Sequence, residues 1–176
     1  MILETARLIL RPWKESDAES LYEYAKNQLV GPSAGWAVHT SVENSRQIIR
    51  DVLSADETYA VTIKNADVAI GSVGLSIGGK SNLGIKDDEA EIGYWIGEPY
   101  WGQGFIPEAA RLVIQHAFDD LGISTIYCGY FDGNEKSKRV GEKLGFKFHH
   151  TEYNKEYPLI NETRTQHVTC AEKVNN

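Results

Sequence analysis

Apolar and polar residues alternate along seven segments of the chain, and this two-residue period predicts β-strands. In the first segment, Leu8 and Leu10 point to the same side and are expected in the core. Because helical segments separate several of the strands, the order predicts a mixed α/β sheet. The predicted strands are Leu3–Arg11, Tyr59–Ile63, Ile70–Ile77, Glu89–Gly97, Ile123–Tyr130, Phe146–Tyr153 and Thr165–Ala171.

Four helices are predicted between these strands, and start signals mark them. Ser16 and Thr40 are each followed three residues later by a glutamate, which is the spacing of a capping box. Pro107 suits the first turn of a third helix, since a first-turn N–H has no intrahelical partner. The last helix is predicted over Asn134–Leu144, and Gly145 ends it.

A glycine-rich loop joins the fourth predicted strand to the third helix. Gly102 and Gly104 flank Gln103, and the helix begins near Pro107. Glycine allows a ligand to approach the backbone closely, and the first helical N–H groups lack intrahelical partners. The helix dipole adds partial positive charge at the same point, so the predicted ligand is a phosphate group.

Two common phosphate-binding loops fit this segment poorly. A Walker loop needs Gly-Lys-Ser or Gly-Lys-Thr before the helix, and neither tripeptide occurs in the chain. A dinucleotide-binding loop needs a third glycine three residues after Gly104, where this chain has Pro107. No strand-end acid follows about twenty residues later either.

Three blocks in the same order resemble the RimJ/RimL-like branch of the GCN5-related N-acetyltransferase (GNAT) superfamily. The central block reads Ala-Glu-Ile-Gly-Tyr-Trp-Ile over 90–96, then Tyr-Trp-Gly-Gln-Gly-Phe over 100–105, then Glu108-Ala109. The others are Glu4–Pro12 and the Asn-x-x-Ser to Leu-Gly-Phe segment over 134–146. The resemblance covers nearly the whole chain, so residues 1–176 are expected to form a single N-acetyltransferase domain. It implies a central sheet splayed between strands 4 and 5 and flanked by about four helices.

The resemblance implies acetyl-CoA as the acyl donor, with no metal. Residues 101–106 match the family's pyrophosphate loop at the central Gly104 only, with Trp101 in the first position and Ile106 in the last. Backbone groups of the fourth strand would hold the pantetheine amides, and the N–H of Ile96 would stabilise the oxyanion. The implied contacts are Tyr94, Trp95, Ile96, Trp101, Gly102, Gln103, Gly104, Phe105 and Ile106.

The last helix carries further residues that match the family. Asn134 would contact the pantetheine arm, although asparagine is also a common helix N-cap, and both roles are compatible. Lys138 and Arg139 would contact the nucleotide end of coenzyme A; a solvated helix face is the alternative. Ser137 matches a serine placed near the thioester, where it could donate a hydrogen bond to sulfur. It could equally bond local backbone. The tyrosine acid of many members is absent, since Gly141 occupies its position.

Glu91 is the candidate general base, because it matches a catalytic glutamate on the fourth strand of histone-type members. A surface ion pair or a structural contact is the alternative, and Glu89 is a weaker candidate on the same strand face. An α-amine with a pKa near 8 has a useful neutral fraction at pH 7, so a base could also be dispensable.

The acceptor site is expected in the loop between the first two helices. Trp36 and His39 lie there and could bind the substrate, or they could pack the loop against the sheet. Gln166 occupies a position where the branch often has an acid, which leaves an inherited acceptor-binding carboxylate in doubt.

Composition narrows the partners. The net charge of −7 disfavours nucleic acid as a partner and weakly fits a cationic acceptor.

Cys128 and Cys170 lack ligands at metal spacing and are expected to be buried thiols. His149 and His150 are adjacent, so on a regular strand they face opposite sides and no metal site is predicted. No signal segment or apolar run of ~20 residues is present, so a cytoplasmic location without membrane contact is expected.

The sequence therefore predicts an acetyl-CoA-dependent N-acetyltransferase that acts on a primary amine, such as a protein N-terminal α-amine. The absence of a well-placed cysteine favours direct transfer in a ternary complex. Two alternatives stay open: a non-catalytic acyl-CoA-binding module, and an acetyltransferase for a small cationic amine such as an antibiotic or a polyamine. A homodimer is common in this branch.

Overall fold

The computed structural model describes residues 1–174, which form a mixed eight-stranded sheet with four α-helices. The strand order is β1-β2-β3-β4-β5-β6-β8-β7. Only β5 and β6 are parallel neighbours among these strands. The strands are β1 (Leu3–Glu4), β2 (Leu8–Pro12), β3 (Thr58–Ile63), β4 (Ala69–Ile77), β5 (Glu89–Ile96), β6 (Thr125–Phe131), β7 (Lys147–Tyr157) and β8 (Glu162–Glu172).

The helices alternate with these strands. The α-helices are α1 (Ala18–Ala25), α2 (Val42–Ile48), α3 (Phe105–Asp119) and α4 (Glu135–Lys143). A π-helical turn, Ile49–Leu53, extends α2, and the N–H of Ser54 bonds to the carbonyl of Ile49 at 2.8 Å. Short 3-10 turns occupy Glu15–Asp17, Pro32–Ala34, Gly78–Lys80 and Glu98–Tyr100. No helix within residues 1–174 is long and apolar enough to cross a membrane.

The first predicted strand is wrong in one respect, since it is split into β1 and β2. The hydroxyl of Thr5 accepts a hydrogen bond from the N–H of Leu8 at 2.9 Å, which closes a turn between the two halves. The halves then pair with each other as antiparallel neighbours. Leu8 and Leu10 are both fully buried, as predicted.

The predicted helix starts at Ser16 and Thr40 are each displaced. No side chain caps α1, because the carboxylate of Asp17 accepts from the N–H of Lys14 at 2.9 Å, just before the preceding 3-10 turn. The cap of α2 is Ser41, whose hydroxyl accepts from the N–H of Asn44 at 3.0 Å. In both cases the helix starts one or two residues from the expected position, and a sequence pattern does not locate a helix boundary more closely than this.

Helices cover both faces of the sheet, and β5 contributes to both cores. Ile92 packs in the core formed with α3, where Val113 is fully buried. Trp95, an odd-numbered neighbour, packs instead against the core of α1 and α2 that contains Leu21 and Ile49. Alternation along one strand therefore gives β5 a different environment on each side of the sheet.

The sheet opens between β5 and β6, as predicted for strands 4 and 5 of the family. The two strands pair only where Glu89–Glu91 faces Thr125–Tyr127. Beyond that point β5 stays paired with β4 as far as Ile96, and β6 stays paired with β8 as far as Phe131. A cleft therefore separates the second halves of β5 and β6.

A buried ion pair ties β2 to the start of α1. Both nitrogens Nη1 and Nη2 of Arg11 donate to the carboxylate of Asp17 at 2.8 Å, and each side chain is 6% exposed. Nε of Arg11 also donates to Asp67 at 2.7 Å. These hydrogen bonds outweigh the effect of burial and raise the pKa of Arg11, with the bond to Asp17 the largest cause.

Replacing Asp17 should therefore destabilise the fold strongly. We expect Asp17→Ala to lower the free energy of unfolding by roughly 3 kcal/mol, because a buried guanidinium loses its bidentate partner. Urea denaturation measures the change. The control is Glu15→Ala, which removes an exposed partner of Arg50 and should leave the midpoint almost unchanged. Equal shifts in the two variants would contradict the structural role of the buried pair.

Candidate functional site

The loop between β5 and α3 has the backbone conformation that its glycines predict. Gly102 and Gly104 have φ angles of +74° and +77°, in the left-handed region that side chains disfavour. A Cβ atom added at Gly102 would meet nothing within 4 Å. The loop therefore presents open backbone at this point.

The backbone N–H groups of residues 102–106 donate no hydrogen bond to another residue in the described chain. Helix α3 begins at Phe105, and Pro107 has no N–H to donate. The helix contains 15 residues, so its dipole adds partial positive charge at the loop. Together these groups can hold an anion such as pyrophosphate.

Side-chain contacts fix the shape of this loop. The indole Nε1 of Trp101 donates to the carbonyl of Ile96 at 3.0 Å, and Nε2 of Gln103 donates to the carbonyl of Pro99 at 2.9 Å. Both bonds fasten the loop to the end of β5 and the turn that follows it.

Lys136 is a cation that the structure places beside Trp101 of the loop, and sequence reasoning did not single it out. Its ammonium lies 3.5 Å from the centre of the Trp101 ring, within cation–π range. Of the two residues that were singled out, Lys138 lies 3.9 Å from Glu135, and Arg139 is exposed. Their contact with a nucleotide stays a prediction.

The cleft between β5 and β6 contains a tyrosine hydroxyl that the sequence analysis did not use. The hydroxyl of Tyr94 lies 3.2 Å from Oγ of Ser137 and accepts from the thiol of Cys128 at 3.6 Å. Burial raises the pKa of Tyr94, so the hydroxyl keeps its proton at neutral pH. The side chain thus joins β5 to α4 across the cleft.

The two cysteines are free thiols, and neither has the environment of a nucleophile. Cys128 is buried, as expected, and its burial raises the pKa of its thiol to about 11. Cys170 is only half-buried, and desolvation also raises its pKa.

Asn134 is the N-cap of α4, in agreement with its cap role. Its Oδ1 accepts from the N–H of Ser137 at 3.2 Å, and its Nδ2 donates to the carbonyl of Ser33 at 3.3 Å. The second bond connects α4 to the loop that follows α1. Contact with a pantetheine arm stays a prediction.

The other face of β5 carries the two carboxylates. Oε2 of Glu91 accepts from the hydroxyl of Ser81 at 2.6 Å, and Glu91 makes no ion pair within residues 1–174. Glu89 is buried, and its carboxylate accepts from the N–H of Lys86 at 2.9 Å. Glu89 therefore holds the β4–β5 loop, whereas Glu91 keeps an oxygen free for other chemistry.

Trp36 and His39 lie on the same face as Glu91 but differ in accessibility. Trp36 packs edge-on to Trp95, with ring centres 5.7 Å apart, and 5.3 Å from His39. His39 is buried, with Nδ1 2.8 Å from the hydroxyl of Ser45. Burial lowers the pKa of His39, so the ring is neutral at pH 7. His39 supports the loop, and Trp36 forms a wall beside β5.

A tyrosine beyond the end of the predicted sixth strand completes this face. The hydroxyl of Tyr157 donates to Oε1 of the buried Gln166. Burial raises the pKa of Tyr157 to about 12, and the charges of Glu152 and Glu91 add to the effect. Gln166 also covers Gly129, where an added Cβ would lie 1.8 Å from its amide nitrogen. Strand alternation could not have indicated Tyr157, because the register of β7 against β8 shifts between Glu152 and Lys155.

The prediction that His149 and His150 face opposite sides is wrong. The register of β7 against β8 shifts between Phe148 and His150, so a bulge brings the two Nδ1 atoms within 2.7 Å. No group of three or more His, Cys, Asp or Glu side chains among residues 1–174 is placed to hold a metal ion.

Comparison with known proteins gives a consistent result. A family model described as an acetyltransferase (GNAT) domain matches residues 7–147. The uncharacterized N-acetyltransferase YoaA of Bacillus subtilis is 31% identical over 151 residues, or 83% of this chain and 82% of the relative.

Solved structures share the fold. The acetyltransferase (GNAT family) of Bacillus anthracis superposes with a TM-score of 0.84 at 21% identity, over 98% of both chains. The ribosomal-protein-S5-alanine acetyltransferase of Vibrio fischeri superposes with a TM-score of 0.75 at 22% identity, over 98% of this chain and 96% of that chain.

The open loop predicts a selective effect of a single methyl group. With acetyl-CoA as a pyrophosphate-bearing probe, Gly102→Ala should weaken binding about tenfold or more, because the methyl stands on the open face of the loop. Gly122→Ala is the matched control, since Gly122 has a φ of +70° and similarly open surroundings but lies beyond the far end of α3. Both variants should lose about 1 kcal/mol of stability through backbone strain. Isothermal titration that finds equal affinities for the two variants would contradict the assignment of the loop.

Proposed function

This chain belongs to the acetyltransferase (GNAT) family, and from that membership we propose that it moves the acetyl group of acetyl-CoA to a primary amine. The observation that carries the proposal is the row of free N–H groups over residues 102–106 at the end of the β5–β6 cleft. Enzymes of this family are N-acetyltransferases that use acetyl-CoA, which supplies an activated thioester. The whole chain would act as one such domain.

The backbone of β5 supports the donor site. The N–H of Gly97, directly after β5, donates to the carbonyl of Ile70 in β4 at 2.8 Å. Antiparallel pairs alternate, so the next pair, Gly71 with Ile96, directs its backbone groups away from the partner strand. The N–H of Ile96 therefore points into the cleft, where it can stabilise an oxyanion on the reacting carbonyl.

Glu91 is the proposed general base. The attacking amine must lose its proton, and the carboxylate of Glu91, where β5 and β6 begin to separate, can receive it directly or through water. The hydrogen bond from Ser81 holds the carboxylate in place and leaves its second oxygen without a partner in residues 1–174. Glu89 has no such unpaired oxygen, because the backbone N–H and the ammonium of Lys86 contact its two carboxylate oxygens.

Ser137 is the proposed hydrogen-bond donor to the departing thiolate. Tyr94 holds it at 3.2 Å across the cleft, and Gly141 provides no acid in its place. Tyr94 keeps its proton and can donate it to the carbonyl of Ser137 at 3.3 Å, which leaves the Ser137 hydroxyl able to donate to a sulfur anion. Direct transfer fits these residues, because the buried Cys128 thiol is too weakly acidic to act as a nucleophile.

The acceptor is proposed to be a primary amine at a protein N-terminus. Fold similarity to an acetyltransferase named for a ribosomal-protein alanine supports this class, as does a face lined by Trp36 and Tyr157 that can hold an extended peptide. The net charge of −7 favours a small cationic amine as the second candidate.

Binding of acetyl-CoA tests the proposal directly. Ligand at ~100 times its dissociation constant adds about 2.7 kcal/mol of stability. The melting temperature should therefore rise by several degrees. Intact-mass measurement after incubation with acetyl-CoA alone should find no acetylated protein. Absence of both a thermal shift and titration heat would overturn the function, and an acetyl adduct would overturn direct transfer.

Glu91→Gln should lower kcat about 100-fold with an active amine, because the variant cannot accept the proton. The measurement is thiol release at saturating acetyl-CoA, with amines and N-terminal peptides as acceptors. Glu89→Gln is the control, since it makes the same change two residues away on the same strand face, and it should retain most of the turnover. Unchanged turnover in Glu91→Gln would reject this residue as the base.

A further inference from the structure

Glu108 places a carboxylate in the first turn of α3, next to the loop proposed to bind pyrophosphate. An acid near a helix N-terminus stabilises the helix, but it repels a phosphate bound at the same end. The anion site therefore contains a charge of the wrong sign, and the structure must compensate for it.

The N-terminal turn between β1 and β2 surrounds this carboxylate with donors. Oε1 of Glu108 accepts from the hydroxyl of Thr5 at 2.5 Å and from the N–H of Arg7 at 3.1 Å. Oε2 accepts from Nε of Arg7 at 2.7 Å and lies 2.6 Å from its Nη2. Burial of the carboxyl raises the pKa of Glu108, but these bonds outweigh it and the pKa is lowered, so the carboxylate is charged at neutral pH.

The same arginine contacts the loop itself. Nη1 of Arg7 donates to the carbonyl of Gln103 at 3.1 Å, and its guanidinium lies 4.4 Å from the centre of the Phe105 ring. Nη2 would lie 3.6 Å from a Cβ at Gly104. One side chain thus contacts Gln103 and Phe105 on either side of Gly104 while it pairs with Glu108.

We propose that Arg7 is a positioning residue for acetyl-CoA. Arg7 neutralises Glu108 and holds residues 103–105 so that their N–H groups face the phosphates. The proposal rests on the proposed function. Nε, Nη1 and Nη2 of Arg7 all contact Glu108 or Gln103, which assigns the residue to support of the loop.

Charge compensation makes a prediction that a purely structural contact does not. Arg7→Met leaves Glu108 uncompensated and should raise the dissociation constant of acetyl-CoA about tenfold. Glu108→Gln keeps the size of the side chain, removes the charge, and should change the constant by less than about threefold. The double variant, Arg7→Met with Glu108→Gln, should recover most of the affinity lost in Arg7→Met alone.

Isothermal titration of each folded variant with acetyl-CoA measures these constants at low and high ionic strength. The ratio between Arg7→Met and the wild type should shrink as salt screens the uncompensated charge. Arg50→Met is the control, since it breaks the exposed Arg50–Glu15 pair away from the loop and should not alter binding. If Arg7→Met does not fold, Arg7→Lys is titrated instead, since it keeps the charge but loses the forked contacts of the guanidinium. Affinity within about threefold of the wild type supports charge compensation, and a loss of about tenfold would overturn it.

Three further outcomes overturn the proposal. A double variant as weak as Arg7→Met would overturn the neutralisation of Glu108 by Arg7, because removing the carboxylate charge would then restore nothing. Wild-type affinity in Arg7→Met would show that the contacts of Arg7 with Glu108 and Gln103 do not affect acetyl-CoA binding, while the proposed function would stand. Absence of acetyl-CoA binding in the wild type would overturn the proposed function and this inference together.

Discussion

The separation of β5 from β6 is the constraint on which the rest of the site depends. β5 has a partner on each side only over Glu89–Glu91, and beyond that point it pairs with β4 alone. A strand without a neighbour exposes backbone groups that need hydrogen-bond partners. The indole of Trp101 satisfies the carbonyl of Ile96. The rest of that edge suits an extended, amide-bearing ligand, which can pair with β5 as an added strand does.

Because the side chains of β5 alternate, one strand serves both sides of the cleft. Tyr94 points toward α4 and contacts Ser137, while Glu91 and Trp95 point toward the face covered by α1 and α2. Donor and acceptor can therefore approach the same strand from opposite sides. The two-residue period of the β-strand explains how two sets of side chains can reach one point.

Most of the architecture followed from local patterns. Strand periods located all the strands from β3 to β8, and the glycines at 102 and 104 have the backbone angles that a phosphate loop needs. These features depend on sterics within a few residues, so the sequence carries them directly. The opening between β5 and β6 required the family resemblance, because no local pattern shows where two strands diverge. The sequence-based predictions were wrong at Thr5 and at the bulge before His150, where a single side chain or an extra residue redirects the backbone.

The site shows the limit of local inference. The sequence by itself determined that Glu91 lies on the cleft strand and that Asn134 caps α4, since period and cap preference are local properties. Only the tertiary structure decided that Lys136, and not its helical neighbours, contacts Trp101. Only the tertiary structure paired Arg7 with a glutamate 101 positions away. Such contacts depend on how complete elements pack against one another, and this packing is a property of the folded chain that no window of sequence contains.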